Sequence, residues 1–164
     1  MSGWADESTV GHWQARAREA ALWIPQNSIV LDLGCGDMVL EKELPSGCIY
    51  IPSDVVVRDA RTIVCNLNKQ HLPELKVTHV AVLGVLEHLI HLQHFVKELE
   101  KLACPVVISY HFDHWEKEWS HKQLTRPEFD KLFARYEITQ SQKIVYPGAK
   151  TKGQDLMLLK PRLS

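Results

Sequence analysis

No stretch of this 164-residue chain approaches the ~20 apolar residues that a membrane-crossing helix needs. Its opening, Met1 to Glu7, lacks the basic start and apolar run of a secretory leader. A soluble cytoplasmic protein without membrane contact is therefore expected. Cysteine is sparse and scattered: the four residues Cys35, Cys48, Cys65 and Cys104 contain no C-x-x-C pair. That spacing excludes a disulfide framework and fits free thiols packed as small hydrophobes in a reducing compartment. Charge of one sign is also missing. Nineteen Lys and Arg stand against 20 Asp and Glu, a net charge of −1, with no basic run along the chain. Phosphate-backbone affinity rests on clustered cations, so nucleic acid is not an expected partner. Internal repeats and low-complexity tracts are absent as well, and the length suits one well-buried domain. We expect a single domain over 1–164, with residues 1–27 a helical cover and 28–164 the core.

What is present is concentrated in Ser28-Ile-Val-Leu-Asp-Leu-Gly-Cys-Gly-Asp37. Four apolar residues of strand character deliver Asp32 into the tight turn Gly34-Cys35-Gly36. Glycines there let the backbone take positive φ and approach a ligand closely, as in nucleotide sites that follow a first strand. A carboxylate two residues before the first glycine would repel a pyrophosphate, so a dinucleotide is disfavoured. The missing G-x-G-x-x-G argues equally against a nicotinamide-dependent oxidoreductase. S-adenosylmethionine (SAM) brings a sulfonium and an α-ammonium and no phosphate, and an acidic residue beside the turn suits it.

Further pieces follow at workable spacing. Cys48-Ile-Tyr-Ile51 reads as a second strand leading to Asp54, Val64-Cys-Asn-Leu-Asn68 as a third strand end, and Val77 to Leu83 as a fourth strand running into Gly84-Val-Leu-Glu-His-Leu89. In this combination, over about Ile29 to Pro161, the chain resembles the class I (Rossmann-like) SAM-dependent methyltransferases. The resemblance implies an α/β fold: a doubly wound, mostly parallel seven-stranded sheet with its last strand antiparallel. It implies SAM as cofactor, with Asp32, Gly34, Cys35 and Gly36 in the glycine loop, Asp54 on the ribose hydroxyls, Asn66 and Leu67 at the adenine, Gly84 near the methionine moiety, and Arg16 at the cofactor carboxylate. Two departures stand out. Met38 occupies the usual third glycine, and Asn66 the usual aspartate, though its amide oxygen retains the ability to accept a bond from the adenine amino group.

Around these pieces, Ser8 is expected to cap a first helix whose apolar face carries Trp13, Ala17, Ala20, Ala21 and Ile24. Met38 to Leu44 should give about two helical turns, His91 to Leu102 a helix, Pro105 to Tyr110 a central fifth strand, and Pro127 to Tyr136 a helix capped by Thr125. Glu137 to Tyr146 and Asp155 to Lys160 should close the sheet as a hairpin.

For chemistry, nine histidines offer a choice of bases. His111, at the end of the fifth strand, is the first candidate for removing a proton from an acceptor, with His88 and Tyr110 beside it. Trp13, His114 and Trp115 are expected to wall the acceptor pocket. His88, His91 and His94 step by three, which on a helix puts imidazoles on one face that could ligate zinc, yet the histidine spacing itself brings no acidic or thiolate partner, so no metal is expected. The leading reading is a methyltransferase acting on a small molecule, a sugar or another metabolite with a hydroxyl or amine, as a monomer or homodimer. The alternative is a methyltransferase-like protein that binds SAM or S-adenosylhomocysteine (SAH), or regulates, with little or no catalysis.

Overall fold

A computed structural model describes residues 7–112, 124–145 and 153–162. Seven strands form one sheet: β1 (Ile29–Leu33), β2 (Ile49–Asp54), β3 (Ile63–Val64), β4 (His79–Leu83), β5 (Val106–Tyr110), β6 (Tyr136–Val145) and β7 (Gly153–Pro161). Their order is β3-β2-β1-β4-β5-β7-β6. β1 pairs in parallel with β2 and β4, and β7 runs antiparallel to both β5 and β6. The expected doubly wound sheet with an antiparallel last strand is what the chain forms. The order reverses between β1 and β4, so the C-terminal ends of these two strands flank the crevice where such sheets hold ligands. β4, not β5, is the middle strand.

Helices α1 (Glu7–Ala21), α2 (Val39–Glu43), α3 (Leu92–Leu102) and α4 (Arg126–Leu132) cover the sheet, with a 3-10 turn over Leu86–His88. α1 already includes Glu7, so Ser8 lies inside the helix and not at its cap. α4 stops at Leu132, because Phe133 to Arg135 form a turn and Tyr136 opens β6. β3 is only two residues long, which leaves Cys65 to Asn68 in the loop beyond it.

Alternation along the strands sorts the core into two layers. Leu31, Leu33, Val80, Val82, Ile108 and Tyr110 face one side and pack with Phe95 and Leu99 of α3 and Phe129 of α4. Val30, Ala81, Leu83, Val107, Leu156 and Leu158 face the other and meet Ala17, Ala20 and Ala21 of α1 with Leu40 of α2. The alanine stripe has a positional consequence. Without long side chains between them, α1 and the sheet approach closely enough that a Cβ built on Gly84 would fall 2.4 Å from Arg16 Nη1.

Candidate cofactor cleft

The turn after β1 takes the backbone its glycines allow: φ is +70° at Gly34 and +50° at Gly36. A Cβ on Gly34 would stand 2.6 Å from Val85 Cγ2, so glycine is required there for space as well as for conformation. The N–H groups of Gly34 and Cys35 donate to Ser53 O at 2.8 and 3.0 Å, and Gly36 N donates to Asp54 Oδ2 at 2.9 Å. A phosphate nest would need these donors aimed outward. Here they are satisfied by the end of β2, which is consistent with a ligand that carries no phosphate at this turn.

Asp32 is buried, and Tyr50 Oη donates to its Oδ2 at 2.7 Å. Burial pushes its carboxyl up to about 6, against the lowering effect of the Tyr50 bond and of the Arg16 charge. Cys35 is buried too. Burial and the negative charges of Asp32 and Asp54 push its thiol up to about 12, so it is a packing group and not a nucleophile.

Across the crevice, Arg16 Nη1 donates to Gln154 Oε1 at 3.1 Å, and Gln154 Nε2 donates to Glu87 Oε1 at 3.2 Å. The other oxygen of Glu87 has no hydrogen-bond partner among the described residues, and burial pushes this carboxyl upward. The relay joins α1, β7 and the 3-10 turn, and it holds Arg16 over Gly84. Gln154 in this relay and Tyr50 on Asp32 are the cleft residues that the sequence did not point to. Gln154 left no distinct signal, because Asp155 beside it and Lys160 are polar residues of the same strand. Gly84 also takes positive φ, +70°, and its N–H donates to Ser109 Oγ at 2.9 Å.

Asp54 closes β2 at the expected place, but its carboxylate is engaged. Besides Gly36 N, it accepts from Val56 N at 3.3 Å and pairs with Arg58 Nε at 3.3 Å. Asn66 Oδ1 accepts from Asn68 N at 3.0 Å, which takes one lone pair of the oxygen proposed for adenine. Leu67 is buried next to it. Asn68 spans from this loop to the 3-10 turn, with Nδ2 donating to His88 O at 3.4 Å and Oδ1 accepting from Ile90 N at 2.7 Å. An open groove of about 590 Å³ adjoins this segment, lined by Asn68, Lys69, Ile90 and His91 among others.

Of the expected catalytic groups, His111 follows β5, is buried, and has Nδ1 3.1 Å from Gly153 O. A carbonyl only accepts, so this contact places a proton on Nδ1. His88 ends the 3-10 turn and is exposed. Tyr110 belongs elsewhere. It is 1% exposed on the α3/α4 side of the sheet, its hydroxyl accepts from Leu124 N at 2.6 Å, and its ring packs on Phe112 and Phe129. Adjacent strand residues face opposite sides, so His111 and Tyr110 do not share a pocket. Trp13 is half-buried on α1. His114 and Trp115 lie outside the described residues.

In sequence, no family model matches this chain and no curated protein matches it. In structure it is similar to the Burkholderia thailandensis 1,6-didemethyltoxoflavin-N1-methyltransferase with bound 1,6-didemethyltoxoflavin and SAH, at a TM-score of 0.72 and 17% identity over 96% of this chain and 80% of that one. It is also similar to the magnesium protoporphyrin IX methyltransferase of Synechocystis PCC 6803 with bound SAH, at 0.71 and 14% identity over 98% and 90%. The small RNA methyltransferase HEN1 matches at 0.66 and 13% identity over all of this chain and 27% of that one. The chain thus has the Rossmann-like methyltransferase fold. The three similar proteins are named for acceptors as different as a small heterocycle, a porphyrin and an RNA, so the fold does not choose an acceptor.

Proposed function

We propose that this chain is a SAM-dependent methyltransferase acting on a small molecule through a hydroxyl or amine. One observation carries the reading: a buried carboxylate, Asp32, at the switch point of the sheet, beside a glycine turn whose N–H groups are already satisfied. That chemistry favours a cationic ligand and disfavours a phosphate. When bound, SAM supplies an electrophilic methyl on a sulfonium. Asp32 would offset its positive charge, Arg16 over Gly84 would meet its carboxylate, Asp54 the ribose hydroxyls, and Asn66 with Leu67 the adenine. Trp13 and the segment after His111, including His114 and Trp115, would enclose the acceptor. Methyl transfer is an in-line displacement, so the protein's task is to orient the acceptor and to take its proton. His111, at the end of β5, is the proposed base, and His88 the reserve. The near-neutral charge and the lack of a basic run favour a small acceptor over an RNA.

A second reading is favoured by the engagement of Asp54 with Gly36, Val56 and Arg58: a methyltransferase-like protein that binds SAM or SAH weakly and acts as a binding or regulatory subunit. Calorimetry of the purified protein with SAM and with SAH tests the cofactor that both readings share. Tight one-site binding of both ligands supports the enzyme, weak binding supports the second reading, and no heat with either removes the cofactor and both functions built on it.

A further inference from the structure

We propose that His71, His94 and Glu98 form a zinc site that fastens the segment between β3 and β4 to helix α3. Their ligand atoms all lie within 4.8 Å of one another, and among the described residues they are the only group of three or more His, Cys, Asp or Glu side chains so placed. The acidic partner that histidine spacing alone did not reveal is Glu98, one helical turn after His94, while His71 reaches the pair from the connecting segment. Two imidazoles and a carboxylate are a borderline donor set that suits zinc, with metal–ligand bonds of about 2.0–2.2 Å and neighbouring tetrahedral ligands therefore ~3.4 Å apart. His71 Nδ1 stands 3.1 Å from Glu98 Oε1, close to that edge.

The surroundings are those of a prepared ligand set. Glu98 is only 5% exposed although it sits in an amphipathic helix, and Leu72 N donates to its Oε2 at 3.2 Å, which orients the carboxylate and leaves Oε1 toward His71. Gln70 O lies 3.2 Å from His94 Nε2 and fixes that ring through the kind of carbonyl contact that supports metal-bound histidines. Lys101 Nζ is 2.5 Å from Glu98 Oε1 and holds the carboxyl well below its usual range, down to about 2. Lys101 is the cation the metal must replace. Its side chain is 63% exposed and can swing into solvent, leaving the fourth position to water. The competing account is an ion-pair network of Lys101, Glu98 and His71 with no affinity for metal.

Zinc titrated into chelator-treated full-length protein, followed by calorimetry and by thermal unfolding, tests this. The expected result is one zinc per chain with a raised melting temperature. His71→Ala, whose side chain is 79% exposed and removable without disturbing the core, should weaken binding at least ~10-fold and cancel the thermal shift. His94→Ala should do the same, and Lys101→Met should tighten binding by removing the competing cation. Absence of zinc binding by the parent overturns the proposal. So does binding that is unchanged in both histidine variants, which would assign the metal to other histidines. The readouts involve neither SAM nor turnover, so the outcome is independent of the proposed activity.

Discussion

Asp32 sets the charge balance of the cleft. Its folded value of about 6 lies above the ordinary 3.8, a difference worth roughly 3 kcal/mol in favour of the neutral acid. The sign follows directly. The stability this group contributes is full below the ordinary value and is lost as pH rises through about 6, when the buried carboxyl must ionise. A cationic ligand reverses the preference, because it favours the ionised form. SAM affinity should therefore rise between pH 5 and pH 7, with proton release detectable by calorimetry in buffers of different ionisation enthalpy. Asp32→Asn should flatten that profile and weaken binding at pH 7 by ~1.5–3 kcal/mol, the scale of a lost charge-assisted bond. Equal affinity in parent and variant would remove Asp32 from the cofactor site. For His111, the expectation is a split between binding and turnover. His111→Ala should keep SAM affinity within about threefold while lowering turnover on an identified acceptor by ~10²-fold or more. Full turnover would pass the role to His88 or leave orientation as the whole of catalysis. Asp32, Gly34 and Gly36 were legible in the sequence because charge and positive φ are demands made within a few residues. Tyr50 and Gln154 were not, since their partners Asp32 and Arg16 lie 18 and 138 positions away.

At the scale of elements, short-range signals again read well and long-range ones poorly. Thr125 announced the start of α4, and the structure completes a capping box there with Glu128. The end of α4 was misplaced because Phe133 and Tyr136 continue an apolar pattern that belongs to two different elements. Met38 is the N-cap of α2 and holds φ 54°, ψ 36° with no side-chain cap. A non-glycine residue in this left-handed region costs about 1 kcal/mol. Met38→Gly should thus raise stability by up to ~1 kcal/mol in denaturant titration and bind SAM at least as well as the parent. Weaker binding would identify the thioether as a cofactor contact. Tyr110 tests the link between β5 and the start of α4. Strand alternation, which the sequence contains, is what turns it from the His111 side toward Phe129. In Tyr110→Phe the buried Leu124 N–H loses its acceptor, at a cost of ~1–3 kcal/mol in unfolding free energy. SAM affinity should not change. A loss of affinity without a loss of stability would return Tyr110 to the cleft.

For the molecule as a whole, the doubly wound sheet with an antiparallel last strand was legible because strand, glycine turn, acidic strand end and closing hairpin follow one another in a sequence few α/β folds share. Whether the crevice accepts its ligand was not, because that depends on how Asp54, Gly36 and Arg58 meet in space. In the structure Arg58 occupies the carboxylate, with 27% of its side chain exposed and free to withdraw toward solvent. If ribose hydroxyls take its place, the ligand ties β1, β2, β4 and α1 together, and its binding energy adds to the stability of the folded state. SAM at ~100 times its dissociation constant should then contribute about 2.7 kcal/mol, which for a domain of this size raises the melting temperature by roughly 5–11 °C. SAH should act alike, since it keeps the adenosine and amino-acid contacts, while a nicotinamide dinucleotide should give no shift because the turn offers its phosphates no donors. In Asp32→Asn the SAM shift should shrink at equal ligand concentration. If millimolar SAM leaves the melting temperature of the parent unchanged, Asp54 is locked by Arg58 rather than poised for ribose, and the fold here serves as a scaffold instead of a methyl-transfer site.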